Sequence, residues 1–177
     1  MDETFKVWVG CLACYNEGRL VGEWFDAIDA PQDMEDWGEA MPATAPVGKH
    51  SAHVKYGHEE LWCFDIENSP VSGEMSPMDA QIYAGLIEDL EIPLDALKAW
   101  LSNQHEELTE ESVEAATEQY WTSDDESFDD SIRDLYPEDS LPEWAKTGYC
   151  SIIENIKRDM RLNGEYVELD GHYFRTY

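Results

Sequence analysis

"FKVWVGCLACYNEGRLVGEWFD", residues 5–26, sets Phe5, Val7 and Val9 on one face against Lys6 and Trp8 on the other, the period of two that marks a strand. A turn signal follows at Asn16-Glu17-Gly18, and residues 20–26 then predict a return strand, in which Gly22 marks a bulge or a close approach of backbone. The chain therefore opens on an antiparallel sheet. Outward from it, residues 29–39 predict a short helix after Pro31, and residues 41–49, with two prolines and a glycine, a loop. Residues 51–66 predict one or two further strands.

From SPVSGEMSP, residues 69–77, the pattern becomes helical. Ser76 is an N-cap, Pro77 suits the first helical position and Asp79 the first turn, so a helix is expected from about 77 to 90 with Ile82, Leu86 and Leu90 facing inward. Pro93 begins a second helix through Leu94, Leu97, Trp100 and Leu101. Thr109 caps a third, containing Val113, Ala116 and Tyr120. Ser123 to Glu126 has capping-box spacing, and Phe128, Ile132 and Leu135 recur at i, i+4 and i+7. Ser140 to Glu143 opens another helix, carrying Trp144, Tyr149, Ile152, Ile153, Ile156 and Met160, that runs to about Leu162 and stops at Asn163-Gly164. Last, Asp170-Gly171 between Tyr166/Glu168 and Tyr173/Arg175 signals a two-residue hairpin. The expected class is α+β, in three subdomains: 1–70 (sheet and short helix), 71–108 (helical) and 109–177 (acidic helices and a hairpin).

Charge is the unusual property. The 177 residues hold 40 Asp and Glu against 11 Lys and Arg, a net charge of −29. Seven Trp, nine Tyr and five Phe spread along the chain argue against disorder, because disordered acidic segments lack aromatics. The self-repulsion of so many like charges favours an elongated shape. Nucleic acid and anionic lipid both need a cationic face, so direct binding to either is not expected and the partners should be basic. No stretch has the length of a membrane span, and the N-terminus lacks the basic and apolar regions of a signal peptide. The expectation is a cytoplasmic, soluble protein with reduced Cys11, Cys14, Cys63 and Cys150.

Few motifs carry chemistry. Cys11-Leu-Ala-Cys14 has the spacing of zinc and thioredoxin-like sites, but it ends a strand and enters a turn, and no second pair follows; buried structural thiols are expected. His50, His53, His58 and Cys63 form a second loose group whose irregular spacing compels no zinc site. Five carboxylates lie within residues 124–130, yet the Gly and the bidentate Glu of an EF-hand loop are missing. A nucleophile elbow, a phosphate-binding glycine loop and a zinc-protease helix are all absent. Neither catalysis, nor a metal, nor a cofactor is expected.

The acids themselves call for an explanation. Residues 56–145 contain 25 acidic side chains and only Lys98 and Arg133 as bases. A solvated helix face normally mixes signs, because i,i+4 ion pairs stabilise it, whereas here like charges align. Two explanations compete: a salt-adapted protein kept soluble by its charge, or carboxylates that imitate phosphates and occupy the cationic groove of a DNA-binding protein. Salt adaptation predicts acids spread evenly, but residues 146–177 carry five bases against five acids. Two chains would match the charge of roughly 100 Å of duplex, about 30 base pairs, at one charge per about 1.7 Å. The candidate phosphate-like stripe comprises Glu88, Asp89, Glu106, Glu107, Glu110, Glu111, Glu114, Glu118, Asp124, Asp125, Glu126, Asp129, Asp130 and Asp134, with Arg133 interrupting it.

Residues 7–26 resemble the opening of the ArdA antirestriction family, the match being carried by Tyr15, Asn16, Gly18, Leu20, Gly22 and Trp24. Residues 141–175, LPEWAKTGYCSIIENIKRDMRLNGEYVELDGHYFR, resemble its closing helix and hairpin. The middle resembles the family in acidity and helix content. The resemblance implies an elongated, three-part α+β protein, commonly a homodimer, that mimics bent B-form DNA. It implies inhibition of type I restriction-modification enzymes by occupation of the groove of their specificity and methyltransferase core. Such proteins are encoded on mobile elements and protect entering DNA. Residues 85–93 and 106–118 are two candidates for the family's antirestriction motif, and no residue is assigned from it. Gly18 is expected to serve the turn, Gly22 the sheet and Trp24 the core. Other basic nucleic-acid-binding partners remain open on the sequence alone.

Overall fold

The computed structural model describes residues 4–40 and 57–176. It is an α+β protein, the described residues forming two three-stranded antiparallel sheets, and its chain divides into two compact units, Met1–Asp89 and Leu90–Tyr177. The loop expected over 41–49, the strand start expected before residue 57, and His50 and His53 lie outside the described residues.

In the first unit, β1 (Lys6–Cys11) is the central strand between β2 (Gly22–Asp26) and β3 (Leu61–Glu67). Phe5, Val7, Val9 and Cys11 alternate into the core, as the period of two predicts, and meet Met34 and Trp37 of α2 (Met34–Ala40) and Ala80 and Ala84 of α3 (Pro77–Ile87). On the other face the Trp8 indole covers two glycines. A Cβ on Gly22 would lie 2.5 Å from the Val9 carbonyl oxygen and 2.7 Å from the Trp8 ring, so the close approach read from the sequence is real. Gly18 has φ 78°, which closes the turn before β2.

Three expectations for this unit change. Cys11 and Cys14 do not enter a turn: Cys11 ends β1, and its Sγ caps a short helix, α1 (Leu12–Asn16), by accepting the Cys14 N–H at 3.4 Å. Trp24 is 43% exposed instead of buried, because β2 is an edge strand and its residue 24 shares the face of Trp8, away from the core. Ser76 caps α3 as expected, but the helix ends at Ile87 and turns Pro77, Ala80 and Ala84 inward while Ile82 is exposed. Small alanines let the helix lie close against the turn at Ala27–Asp29, which outweighs burial of a larger isoleucine.

The second unit starts with α4 (Leu94–Gln104), which buries Leu97, Trp100 and Leu101 and ends at His105 with a left-handed φ of 57°. Thr109 then caps α5 (Glu110–Gln119) in a reciprocal capping box with Ser112. Trp100 donates its indole N–H to Gln119 Oε1 at 2.9 Å, tying α4 to the end of α5. Tyr120 leaves the helix to begin β4 (Tyr120–Thr122), a strand without a sequence signal, which pairs with β6 (His172–Arg175). The sheet order is β4-β6-β5, with β5 (Tyr166–Leu169) joined to β6 through Asp170 and Gly171. Their φ values of 50° and 87° are those of the expected two-residue hairpin turn.

The cap of α6 (Asp125–Leu135) is Asp124, one residue beyond the expected Ser123, because the Asp124 carboxylate reaches the Ser127 N–H at 2.7 Å. Phe128 and Ile132 are fully buried, while Leu135 is 60% exposed at the fraying end. Instead of one helix from residue 143, Gly148 separates α7 (Glu143–Lys146) from α8 (Tyr149–Leu162), and Trp144 projects into solvent. Ile153 of α8 joins Phe128, Ile132, Tyr166 and Tyr173 in one core, where the Phe128 and Tyr173 rings stack at 4.1 Å.

Candidate functional site

The acidic residues sit on these elements in two ways. On α5, Ser112 and Ala116 are buried and fix the helix's rotation, so Glu110, Glu111, Glu114 and Glu118 all point to solvent. Glu106 and Glu107, in the turn before it, are also exposed. None of these six makes an ion pair with a described base. Four charges on ten residues of helix, roughly 15 Å, give one charge per about 4 Å, close to the 3.4 Å of one DNA strand. Glu118 stands in the last turn, with no base beside it to offset the negative end of the helix dipole. Glu88 and Asp89, both exposed, stand in the same unfavourable position at the end of α3 in the first unit.

On α6 burial of Phe128 and Ile132 divides the acids. Glu126, Asp130 and Asp134, each four residues apart, form an exposed row with a rise of about 6 Å per step. The remaining acids also serve the fold. Asp124 accepts from the Ser127 N–H and hydroxyl, and the backbone bond first, then the hydroxyl, hold its carboxyl below the usual range. Asp125 accepts the Tyr173 hydroxyl. Burial, and then that hydrogen bond, push the Tyr173 phenol well above its ordinary pKa. Asp129 is half-buried, accepts from Lys157 and lies 3.9 Å from Arg133.

Arg133, the base expected to interrupt the acidic run, is half-buried among contacts that hold the end of its helix. Its guanidinium lies 5.3 Å from the Tyr149 ring centroid, and the Tyr149 hydroxyl donates to the Tyr136 carbonyl at 2.8 Å, locking the end of α6 to α8. Lys157 is the base the sequence did not place: it reaches across from α8 and rests 5.6 Å from the Phe128 ring centroid. With Asp125, Glu126, Asp129, Asp130 and Arg133 it lines a surface groove. Its signal was present in the charge-balanced C-terminal stretch, but which acid it meets is a matter of helix packing.

A separate cluster lies in the first unit. His58 Nδ1 stands 3.4 Å from Cys11 Sγ and 3.5 Å from Cys14 Sγ, so one histidine of the loose group joins the C-x-x-C pair. Cys63 is elsewhere in the core, bridged by backbone to Met75, and burial pushes its thiol up to about 12 with Asp79 adding to the effect.

Among the described residues no helix is long and apolar enough to cross a membrane. The model of one protein family, described as antirestriction protein (ArdA), matches residues 7–175. None of the curated proteins compared with the chain matches it.

Proposed function

The chain belongs to the ArdA antirestriction family, and from that premise we propose that it inhibits type I restriction-modification enzymes by presenting carboxylates where the enzyme's groove expects DNA phosphates. The observation that supports this most is the exposed, unpaired acid set of α5, held on a helix whose inner face is anchored by Ser112 and Ala116. Folding stability gains nothing from aligning like charges there; they cost a few tenths of a kcal/mol per i,i+4 pair. A cationic groove would recover that cost on binding. Glu126, Asp130 and Asp134 extend the same chemistry on α6, whereas Asp124, Asp125 and Asp129 contribute charge but are held by the fold.

Affinity would come from many weak contacts with Lys and Arg of the enzyme, with fast association that slows as salt rises. Two such chains would meet most easily through the charge-balanced stretch 146–177, and a sedimentation run at moderate salt showing only a 20.3 kDa species would remove that dimer. The inhibitory role is tested by transforming unmodified DNA into a host with an active type I system. Expression of the protein should raise recovery, and a variant lacking Glu110, Glu111, Glu114 and Glu118 should raise it less. Unchanged recovery with the wild-type protein would refute inhibition.

A further inference from the structure

Outside the acidic surface, a compact set of reactive side chains among the described residues lies at the end of β1. We propose that Cys11, Cys14 and His58 form a binding site for a thiolate-preferring divalent cation, with zinc as the metal the donor set fits best. Their ligand atoms all lie within 4.8 Å of one another. In a tetrahedral site with Zn–S of about 2.3 Å and Zn–N of about 2.0–2.1 Å, a sulfur and a nitrogen are separated by about 3.5 Å. The two observed Sγ to Nδ1 separations are 3.4 and 3.5 Å, so both nitrogen–sulfur edges of such a tetrahedron are already in place.

The surroundings suit a thiolate. The Cys14 N–H donates to Cys11 Sγ, the kind of outer contact that orients a ligand and steadies its charge. Both sulfurs are buried and the imidazole is half-buried, which limits competition by water. The local backbone is fixed as well: the Leu12 N–H donates to the Glu60 carbonyl at 3.0 Å, holding the start of α1 beside the approach to β3. Two sulfurs and one imidazole select zinc over magnesium or calcium, which take oxygen ligands, so this site differs in kind from the carboxylates of the second unit. The three residues leave one tetrahedral position for water or a further ligand. A cation here would pin together segments 44 and 47 residues apart in sequence. The proposal is independent of the antirestriction reading.

The test is a cobalt(II) titration of the full-length chain, kept reduced with a phosphine, followed by absorbance. Expected are a thiolate-to-cobalt charge-transfer band and strong tetrahedral d–d bands that saturate at one equivalent and vanish when zinc is added. Cys14→Ser and His58→Gln should each weaken binding by about tenfold or more, with far-ultraviolet circular dichroism confirming the fold, while Cys150→Ser leaves the bands unchanged. Should Cys14→Ser fail to fold, His58→Gln, at a half-buried position, gives the same reading. Weak octahedral absorption indifferent to these substitutions would mean carboxylate binding only and would overturn the proposal. So would a chain whose Cys11 and Cys14 remain a disulfide under the same reductant.

Discussion

Asp129 and Asp130 are neighbours on α6, yet replacing each by Asn should have different consequences. The Asp129 side chain is 28% exposed and its Lys157 partner 18%, so the pair lies between a surface and a buried ion pair. Breaking a surface pair costs about 0.2–1 kcal/mol and a buried one about 3–5 kcal/mol. In Asp129→Asn the Lys157 ammonium keeps Glu154 at 3.7 Å, which places the expected loss at about 1–2 kcal/mol, or roughly 2–8 °C in melting temperature. Asp130 is exposed and makes no ion pair with a described base, so Asp130→Asn should stay within about 0.5 kcal/mol of wild type. Burial opposes the charge on Lys157, but the hydrogen bond and charge of Asp129 outweigh it and raise its pKa overall. A raised lysine pKa contributes stability below its unfolded value, so on the lysine side the Asp129 difference should persist at neutral pH and fade as alkali titrates the amine. Thermal and urea melts of the two variants at pH 7 decide the matter. Equal melts would refute the division of the acidic strip into a fold-bound part and a free part.

Three further outcomes are expected. Gly22→Ala should destabilise the first unit by about 1–3 kcal/mol in a urea melt, since the new methyl meets the Val9 carbonyl, a backbone atom with little room to move; a wild-type midpoint would contradict this. Cys63 keeps its proton in the folded chain up to about 12, against an ordinary 9.0, so the unfolded chain loses that proton first and stability should fall as pH rises from about 9 toward 12. Alkylation at pH 8.5 should accordingly label exposed Cys150 and spare Cys63, and equal labelling would contradict it. Replacing Glu110, Glu111, Glu114 and Glu118 together by Gln should leave the protein folded while slowing its association with a type I methyltransferase, most visibly at low salt; an unchanged rate would remove α5 from the interface.

Sequence patterns reported what neighbours along the chain decide. The hairpin at Asp170-Gly171 and the Thr109 and Ser76 caps follow from local backbone demands and are present, while the glycine at 22 marked a close approach whose partners, Trp8 and Val9, lie across the sheet. Features that depend on which face finds a partner were not legible. Trp24, Trp144 and Leu135 follow sound hydrophobic spacing yet stand exposed, because the neighbouring sheet edge or helix end has nothing to cover them among the described residues. The strand Tyr120–Thr122 is too short for any period, and exists because β6 offers it a free edge. Exposure of the acids was legible from the helical spacing of Phe128 and Ile132. Their division was not, since Lys157 and Tyr173 reach Asp129 and Asp125 from 28 and 48 residues away. For the same reason the C-x-x-C pair and His58 read as two weak motifs instead of one cluster.

Competition is the most direct test of the central proposal. A labelled target duplex is bound to a purified type I methyltransferase, and the protein is added at increasing concentration at several salt concentrations. Phosphate mimicry predicts full displacement of the duplex, one-for-one exclusion, and an apparent affinity that drops steeply as salt rises. A stable complex containing enzyme, duplex and this protein together would contradict it.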